Sequence, residues 1–404
     1  MRHFYKTLAI ATVLGLFINL PHLSAQTAVT VQGIVELEEA SDYSGVEVYF
    51  DPQSPSATEK TVTTNSDGTW TAGDVSVGIY TVRFNKDGYV PTRLPDMFFD
   101  SDSTLNTITM RPGDLKEING AISGTLSSDT LYVATDSIWV EQGSNLEIEP
   151  GTEIQFSSNT GLGVSGNLSI LGTETDSVLF TSGTALPEPG DWYGVNIEKA
   201  GDISIEGLTV INARLPMRID STHNVRISNY RNDGMALGSH GMQVIRSNNI
   251  SITDSWLSSN DASVIIFDDV SGGELLRSSI VNGQWGLSLL GAENITIEEC
   301  RIEKFSSYGI YGRTQGYNQI DNKQINYTNN IRIINNIISS IGNTRPISLS
   351  DYIDGNRSPI FIESNTINKE INGGGSIDAI AHRGSGKISN NTININDTGV
   401  GGSL

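Results

Sequence analysis

The sequence predicts an all-β protein in which a long solenoid of parallel β-strands, a parallel β-helix, follows a small antiparallel β-sandwich. Three observations predict this class. The 404 residues include 42 glycines and are 37% hydrophobic, a composition that favours many short strands joined by tight turns. Apolar and polar residues alternate with period two over residues 28–113, as in antiparallel strands. From residue 203 onward a short apolar pattern recurs, which indicates a repeat architecture.

The first 25 residues have the features of a signal peptide. Arg2 and Lys6 precede an apolar stretch over residues 8–20, and small residues precede Gln26. That stretch is short for a membrane span but fits the hydrophobic part of a leader. We therefore expect residues 1–25 to be removed. We also expect the protein to be bacterial and either secreted or held at the cell surface. No later apolar run has membrane-spanning length, so we expect no transmembrane segment.

The charge of the chain excludes some partners. Removal of Arg2 and Lys6 with the leader leaves 23 basic and 46 acidic residues. Such an acidic chain is not expected to bind nucleic acid or anionic lipid. Acidity is also a general means of staying soluble, and that interpretation involves no particular ligand.

Residues 28–113 carry short alternating runs separated by turn residues. Asn65-Ser66-Asp67-Gly68 is a turn signal before Trp70, and residues 78–84 alternate up to a second Asp-Gly turn. This pattern predicts a small β-sandwich. The motifs G-x-V, G-V-x-V, T-N-S-D-G-x-W, G-x-Y-T-V-x-F and K-x-G-Y, in this order, resemble the carboxypeptidase regulatory-like, transthyretin-like module. The resemblance implies a non-catalytic spacer or adhesion element.

The repeats begin after residue 200. Each repeat has two apolar residues separated by one residue of any type, then two polar residues, a special position, one residue of any type and a final apolar residue. Most repeats start 22 to 29 residues after the preceding repeat. One repeat is long enough for one coil of a parallel β-helix and too short for a pair of helices. The second apolar positions are Ile205, Ile227, Ile252, Leu275, Ile297, Ile333, Ile362 and Ile388.

Stacking of the coils predicts what each position does. Because strand residues alternate between faces, both apolar residues should point inward and lie above their counterparts in the next coil. The special position holds Asn336, Asn365 and Asn391, which we expect to form a hydrogen-bonded ladder. Cys300 is the only cysteine and occupies the same column, so it cannot form an intramolecular disulfide and should be a small buried residue. A second short strand follows about fifteen residues later in each repeat.

Residues 118–200 contain a divergent version of the same pattern, including the runs 146–156, 162–168 and 178–182. Their order resembles the opening coils of right-handed β-helix proteins of the pectin-lyase-like superfamily, and the resemblance extends over residues 118–404. It implies a right-handed coil in a group that contains polysaccharide lyases, glycoside hydrolases, epimerases and non-catalytic adhesins. Since the chain reaches Leu404 inside a coil, we expect a longer parent protein.

Candidate catalytic residues follow the second strands. Asp268 and Asp269 form an acidic pair, and we expect it to share an outer row with Arg246 and Arg313. A glycoside hydrolase needs two such carboxylates, and a polysaccharide lyase needs a base with a cation nearby. The alternative interpretation of Asp268-Asp269 is turn chemistry, because Val-Ser-Gly-Gly follows.

Candidate substrate-binding residues extend the same row and an insertion near residues 312–329. Aromatic rings there, with Trp285 and Tyr308 nearby, could stack on sugar rings, while charged residues could hold a glycan along the helix axis. The alternative is a solvated row of surface ion pairs. The candidates are Tyr311, Tyr317, Asp351, Tyr352, His382 and Arg383.

Three functional hypotheses remain open from the sequence. The first is a protein that binds a polysaccharide or cell-surface glycan without an active site of its own. The second is an enzyme acting on an acidic polysaccharide, a lyase in preference to a hydrolase. The third is a structural or adhesive stalk. No metal-ligand spacing is present. We expect no cofactor, leave Ca²⁺ open as a ligand, and infer nothing about oligomeric state.

Overall fold

The computed structural model describes residues 28–397 apart from 56, 185–186, 314–327, 351–358, 372–377 and 384. The predicted signal peptide and the candidates Tyr317, Asp351 and Tyr352 lie outside this part. All secondary structure in the described residues is β-strand, which confirms the all-β prediction.

The N-terminal region is a small β-sandwich built around an aromatic core. One sheet has the order β4-β1-β7, with β8 also pairing with β1, and the other has the order β3-β2-β5-β6. Phe50 contacts Trp70 and Tyr80 edge to face, at centroid distances of 6.0 and 5.9 Å. The strands are β1 (Ala28–Leu37), β2 (Glu47–Pro52), β3 (Lys60–Thr63), β4 (Thr69–Ser76), β5 (Gly78–Asn85), β6 (Thr92–Phe99), β7 (Ser103–Thr104) and β8 (Ile108–Met110).

The antiparallel prediction holds for most pairs of this sandwich. Strand β1 pairs antiparallel with β4, and β5 does so with β2 and β6. Strands β7 and β8, however, join β1 in parallel. The chain passes through β6 of the other sheet before it reaches β7 and β8. Because this connection is long, β7 and β8 can run in the same direction as β1, whereas a short hairpin would make them antiparallel.

The solenoid strands follow from residue 114. They are β9 (Asp114–Ala121), β10 (Gly124–Leu126), β11 (Thr130–Val140), β12 (Asn145–Ile148), β13 (Glu153–Phe156), β14 (Leu162–Val164), β15 (Asn167–Leu171), β16 (Val178–Ser182), β17 (Val195–Glu198), β18 (Ile203–Glu206), β19 (Leu208–Ile211), β20 (Met217–Asp220), β21 (His223–Ser228), β22 (Arg231–Asp233), β23 (Met242–Ile245), β24 (Asn248–Thr253), β25 (Trp256–Ser258), β26 (Ser263–Asp268), β27 (Ser271–Leu276), β28 (Ser279–Val281), β29 (Trp285–Leu290), β30 (Glu293–Glu298), β31 (Arg301–Glu303), β32 (Tyr308–Arg313), β33 (Asn329–Ile334), β34 (Ile337–Ile341), β35 (Arg345–Ser350), β36 (Ile360–Glu363), β37 (Thr366–Ile371), β38 (Ile380–Arg383), β39 (Gly386–Ser389) and β40 (Thr392–Asp397).

These strands form three parallel sheets, and the chain visits them in turn. Sheet A contains β10, β12 and every third strand from β15 to β39. Sheet B contains every third strand from β13 to β40. Sheet C runs β14, β17 and so on to β38, and the long strands β9 and β11 run through both B and C at the N-terminal end. The result is a parallel β-helix with three faces.

The predicted apolar column occupies the interior. Ile252, Leu275, Ile297, Ile333 and Ile362 pair in register through successive strands of sheet A. All five side chains are completely buried. The stacking prediction is therefore confirmed.

The ladder at the corner between sheets A and B is also confirmed. Asn365 Oδ1 accepts the Asn336 backbone N–H at 2.9 Å, and Asn391 Oδ1 accepts that of Asn365 at 3.0 Å. Earlier coils use hydroxyls in the same way, since Ser255 Oγ accepts from the Tyr230 N–H at 3.1 Å. Cys300 lies between these parts of the column and is buried. The buried polar atoms of this corner thus satisfy one another from coil to coil.

Tight corners require backbone in the left-handed region. At the end of sheet C the turn residue has a φ of 50° at Ser221, 47° at Arg246 and 56° at Asp269. Asparagine and aspartate tolerate this conformation better than most residues. Arg246 and Asp269 are therefore corner residues whose backbone closes the coil.

The sandwich rests against the first strands of sheet B. The Arg93 guanidinium donates hydrogen bonds to the carbonyl oxygens of Ser182, Gly183 and Thr184. Arg111 Nη1 donates to the Gly151 carbonyl oxygen at 3.2 Å. These bonds tie the sandwich to the solenoid and leave sheet C uncovered by it. In the last coil that the structure describes, three isoleucines occupy inward positions but are exposed, because no further described coil lies on them. They are Ile388, Ile393 and Ile395.

Candidate functional site

The outer face of sheet C carries two columns of side chains. The register defines a central column, which consists of Trp139, Gly163, Asn196, Arg218, Gln243, Ile266, Ser288, Tyr311, Ser348 and Ala381. Two residues further along each strand, a corner column consists of Glu198, Asp220, Ile245, Asp268, Leu290, Arg313, Ser350 and Arg383.

The structure brings part of the predicted outer row together. Asp268 and Arg313 belong to the corner column, with Leu290 between them. Arg246 and Asp269 each lie one residue later, in the left-handed turn. They neighbour the column without belonging to it.

His382 lies elsewhere than the predicted row. It pairs with Leu349 of the preceding coil, which is buried. Both ring nitrogens of His382 are buried and lack a hydrogen-bond partner. The predicted row included both His382 and Arg383 of this strand. Arg383 pairs with Ser350 in the corner column, whereas His382 lies one residue earlier, and a shift of one residue reverses the face on which a side chain lies. A role of His382 in binding stays a prediction, but its ring does not extend the outer row.

A buried carboxylate organises the charges of the face. Only 2% of the Asp220 side chain is exposed, and it accepts two bonds from Arg246 Nη2 at 2.8 and 2.6 Å and one from Nε at 3.1 Å. Arg218 Nη2 adds a bond of 2.5 Å and the Ser221 hydroxyl one of 2.9 Å. Arg246 is therefore held by Asp220 across the stack of coils. The pairing of Asp220 with Arg218 was not predicted, although the spacing Arg-x-Asp within one strand was an available signal for it.

Asp268 is the carboxyl group with the most unusual environment on this face. It is half-buried, and burial raises the pKa of its carboxyl group, as does the neighbouring Asp269 carboxylate, while Arg246 acts in the opposite direction. Loss of hydration disfavours the charged form. Asp268 thus keeps its proton to a higher pH than an ordinary aspartate, which is a property of general acids.

Three aromatic rings cluster on the same face. Tyr308 and Tyr311 are 4.8 Å apart between ring centroids. Trp285 lies 5.2 Å from Tyr311 and 6.3 Å from Tyr308. All three are partly exposed, and Arg313 at the end of the same strand is exposed. We call Trp285, Tyr308 and Tyr311 the aromatic cluster. The sequence predicted this grouping, because Trp285 and Tyr308 occupy equivalent positions of successive coils.

The face offers hydrogen-bonding groups but no evident metal site. Within the described ranges, no three His, Cys, Asp or Glu side chains lie close enough together to hold a metal ion. Binding of Ca²⁺ stays a prediction. In the same part of the chain, no helix has the length and apolar character needed to cross a bilayer.

Known proteins resemble parts of this chain. The protein bark beetle of Drosophila melanogaster is 31% identical over 150 residues, which make up 34% of this chain and 5% of that protein. The chain thus spans about 5% of the length of this curated relative.

Two solved structures each cover about two thirds or more of this chain. The A-module of the Azotobacter vinelandii mannuronan C-5 epimerase AlgE6 is 12% identical, with 71% of this chain and 90% of that chain covered and a TM-score of 0.39. Endopolygalacturonase I from Stereum purpureum is 13% identical, with 68% and 94% covered and a TM-score of 0.36. At these identities and TM-scores, nothing about a ligand of this chain follows from them.

One family match concerns the solenoid itself. Residues 120–280 match the family described as the right handed beta helix region. These residues form the coils from β10 to β28. The solenoid is a right-handed parallel β-helix; the repeats predict the parallel β-helix, and the resemblance implies its hand.

Proposed function

We propose that this protein binds a polysaccharide along the outer face of sheet C and that it does so outside the cytoplasm without cleaving the chain. The aromatic cluster carries the proposal. Its three partly exposed rings lie within 6.3 Å of one another and supply a flat apolar surface beside groups able to form hydrogen bonds. A sugar ring matches this combination, because it has an apolar face and a rim of hydroxyl groups.

The surroundings of the cluster fit a long ligand. The central and corner columns run the length of the solenoid, so a polymer lying along the axis meets a similar spacing of side chains at every coil. The corner column carries acidic residues in its earlier coils, at Glu198, Asp220 and Asp268, and a basic residue further on, at Arg313. The Asp220 carboxylate pairs with both Arg218 and Arg246, and Arg246 also acts on Asp268, so charges of both signs meet in the middle part of the face.

A second candidate function is cleavage of an acidic polysaccharide. The observation that favours it is the raised pKa of Asp268 beside Arg246. We rank it below binding because hydrolysis needs a second carboxylate across the scissile bond. Asp220, the preceding carboxylate of the column, is enclosed by two arginines and a hydroxyl.

The rest of the chain has a supporting role in this proposal. Residues 1–25 act as the leader that exports the protein. The sandwich acts as a non-catalytic spacer of the carboxypeptidase regulatory-like type, which its strand order and aromatic core support. Its contacts through Arg93 and Arg111 leave sheet C open for a ligand.

Affinity electrophoresis against soluble polysaccharides tests the binding function. The panel contains β-glucan, xylan and galactomannan, with polygalacturonate and alginate as acidic members. Replacement Trp285→Ala should weaken retardation by the bound polysaccharide about tenfold, because a central aromatic anchor is worth at least ~1.4 kcal/mol. Trp256→Ala is the matched control, since Trp256 is also partly buried but lies in sheet B beneath the Arg231 guanidinium, 4.3 Å from it.

The outcomes separate the hypotheses. Retardation lost in Trp285→Ala and kept in Trp256→Ala supports the proposal. Absence of retardation by every polysaccharide refutes it and favours the stalk. Release of oligosaccharides from an acidic polymer, abolished by Asp268→Asn, would establish the cleaving activity instead.

A further inference from the structure

A second aromatic surface lies at the opposite end of the central column. Trp139 is 45% exposed on the outer face of sheet C, in the first coils of the solenoid. Its neighbours in the stack are small. Ala121 precedes it in register, Gly163 follows it, and the far edge of the indole lies beside Gly120, 3.7 Å from where a Cβ would be. The register neighbours of Trp139 on this face, Ala121 and Gly163, therefore leave one face of the groove open beside the indole.

Asn196, which comes after Gly163 in the central column, has a side-chain acceptor without a hydrogen-bond donor. Asn196 Oδ1 is buried and has no hydrogen-bond partner in the described protein. Such an atom costs stability unless something supplies a donor. Asn196 follows Gly163 in register, so the glycine leaves a gap between the Trp139 ring and the amide. The groove over this gap is also lined by Glu141, Ser165 and Glu198.

We infer that Trp139, Gly163 and Asn196 form a second sugar subsite, which takes one residue of a neutral glycan. The inference deepens the proposed function and rests on it. The apolar face of the sugar lies on the indole, and a hydroxyl group donates to Asn196 Oδ1. The gap above Gly163 admits the edge of the ring.

The charges of the groove select a neutral sugar. Glu141 and Glu198 are the charged residues of its lining. The nearby Lys199 ammonium group is 3.1 Å from a Glu198 carboxylate oxygen, so its charge is already matched. A uronate carboxylate would meet the Glu141 and Glu198 carboxylates here, and Arg218, which follows Asn196 in the column, is paired with Asp220. Sugar hydroxyls, in contrast, can donate to the two glutamate carboxylates.

The register fixes the distance between the two aromatic surfaces. Seven coil steps separate Trp139 from Tyr311. At roughly 4.8 Å per step they are about 34 Å apart. One glycan chain along sheet C can reach both, and a short oligosaccharide can occupy only one of them.

A steric block tests the subsite without removing any existing contact. Gly163 has no positive φ, and a Cβ there would meet only Trp139 Cβ, at an ordinary 3.6 Å. Gly163→Val should therefore fold normally, since β-branched residues suit strands. Gly73→Val is the matched control, because Gly73 also lies in a strand and a Cβ there meets nothing within 4 Å.

Binding of neutral hexasaccharides, β-1,4-linked glucose, mannose and xylose, is measured by calorimetry, with hexagalacturonate as the acidic comparison. A hexasaccharide occupies only one of the two surfaces, so the subsite variants are each made in the Trp285→Ala protein, in which the aromatic cluster is weakened. Gly163→Val and Trp139→Ala should each weaken binding of the neutral ligand by about tenfold, while Gly73→Val should leave it unchanged. Asn196→Leu should weaken binding and, because it removes an unpartnered buried acceptor, should not lower the temperature of unfolding.

The result separates this subsite from the proposed function. If Trp285→Ala weakens binding but Gly163→Val and Trp139→Ala do not, the subsite is overturned and the proposed function stands. If no glycan binds the unaltered protein, both fall. Tighter binding of hexagalacturonate at this groove, or a dimer in sedimentation that Trp139→Ala dissociates, would also overturn the assignment.

Discussion

Replacement of Asn365 by alanine should open the C-terminal coils locally. Asn365 is 1% exposed. Its Oδ1 accepts from both the backbone N–H and the Nδ2 of Asn336 at 2.9 Å, and its Nδ2 donates to the Ile333 carbonyl oxygen and to Asn391 Oδ1, also at 2.9 Å. With about 1 kcal/mol for each bond, the loss is about 4 kcal/mol. This corresponds to a rise of about a thousandfold in the local opening constant.

Serine at the same position is the matched control. Elsewhere in this column Ser255 Oγ accepts from the N–H of the preceding coil and donates to the Thr253 carbonyl oxygen at 2.7 Å. Asn365→Ser should therefore keep one accepted bond and make a local one, so it should lose about half as much stability as Asn365→Ala.

Hydrogen exchange measured by mass spectrometry is the suitable assay, because a solenoid opens in sections and a single unfolding midpoint averages over them. Peptides from 328–341 and 359–371 should exchange faster in Asn365→Ala, and peptides from 203–228 should not change. Unaltered exchange in the first two regions, or equal effects of serine and alanine, would show that the ladder does not stabilise the stack.

Three further predictions follow from buried polar groups. The pKa of the Asp268 carboxyl is higher in the folded protein than its ordinary value of 3.8, which applies to the unfolded chain. The contribution of this carboxyl to the free energy of unfolding is therefore fully present below pH 3.8 and is lost as the pH rises through the pKa in the folded protein. Asp268→Asn should therefore be more stable than the unaltered protein at pH 7 and equal to it below about pH 4 in urea denaturation; a constant difference would contradict this. Burial raises the pKa of the Cys300 thiol to about 11, so iodoacetamide at pH 8 should label the native protein far more slowly than the unfolded one, and equal rates would place this thiol in contact with solvent. Asp220→Asn should cost about 2–3 kcal/mol in urea denaturation, less than a fully buried pair because the arginines are partly exposed, whereas Asp233→Asn, whose partner Arg231 lies 3.6 Å away at the surface, should cost less than about 0.5 kcal/mol; equal costs would show that burial of Asp220 does not matter.

The fold was accessible from the sequence because its strongest contacts join equivalent residues of successive coils. Ile297 and Ile333 lie in register although 36 residues separate them, and the insertion between them leaves the register intact. The stack needs only the apolar pair and the ladder residue, both of which recur in the sequence. The parallel pairing of β7 and β8 with β1 was missed because it depends on where a long connection returns, and residue pattern does not encode that.

The candidate site was only partly accessible. The aromatic cluster follows from Trp285 and Tyr308 occupying the same point of neighbouring repeats, and counting residues is enough to find it. His382 shows the limit, because it lies one residue before Arg383, the corner-column residue of its strand, and an error of one residue reverses the face. Trp139 and Asn196 were missed for a different reason. Trp139 lies in the long strand β11, which precedes the regular repeats and has no counterpart among them.

The in-register stacking of successive coils, which made the fold predictable from the sequence, also limits which ligands sheet C could bind. Each coil is fixed to its neighbours by parallel strand pairing and by the ladder, so the interval between Trp139 and the aromatic cluster varies little. For a ligand that reaches both surfaces, binding at one raises the local concentration at the other, and overall affinity can exceed that of either site alone. A ligand shorter than about 34 Å gains nothing from the second surface. If sheet C binds glycans as proposed, selectivity for chain length follows from the stacking of the coils, whereas selectivity for the kind of sugar depends on the few side chains at the two ends.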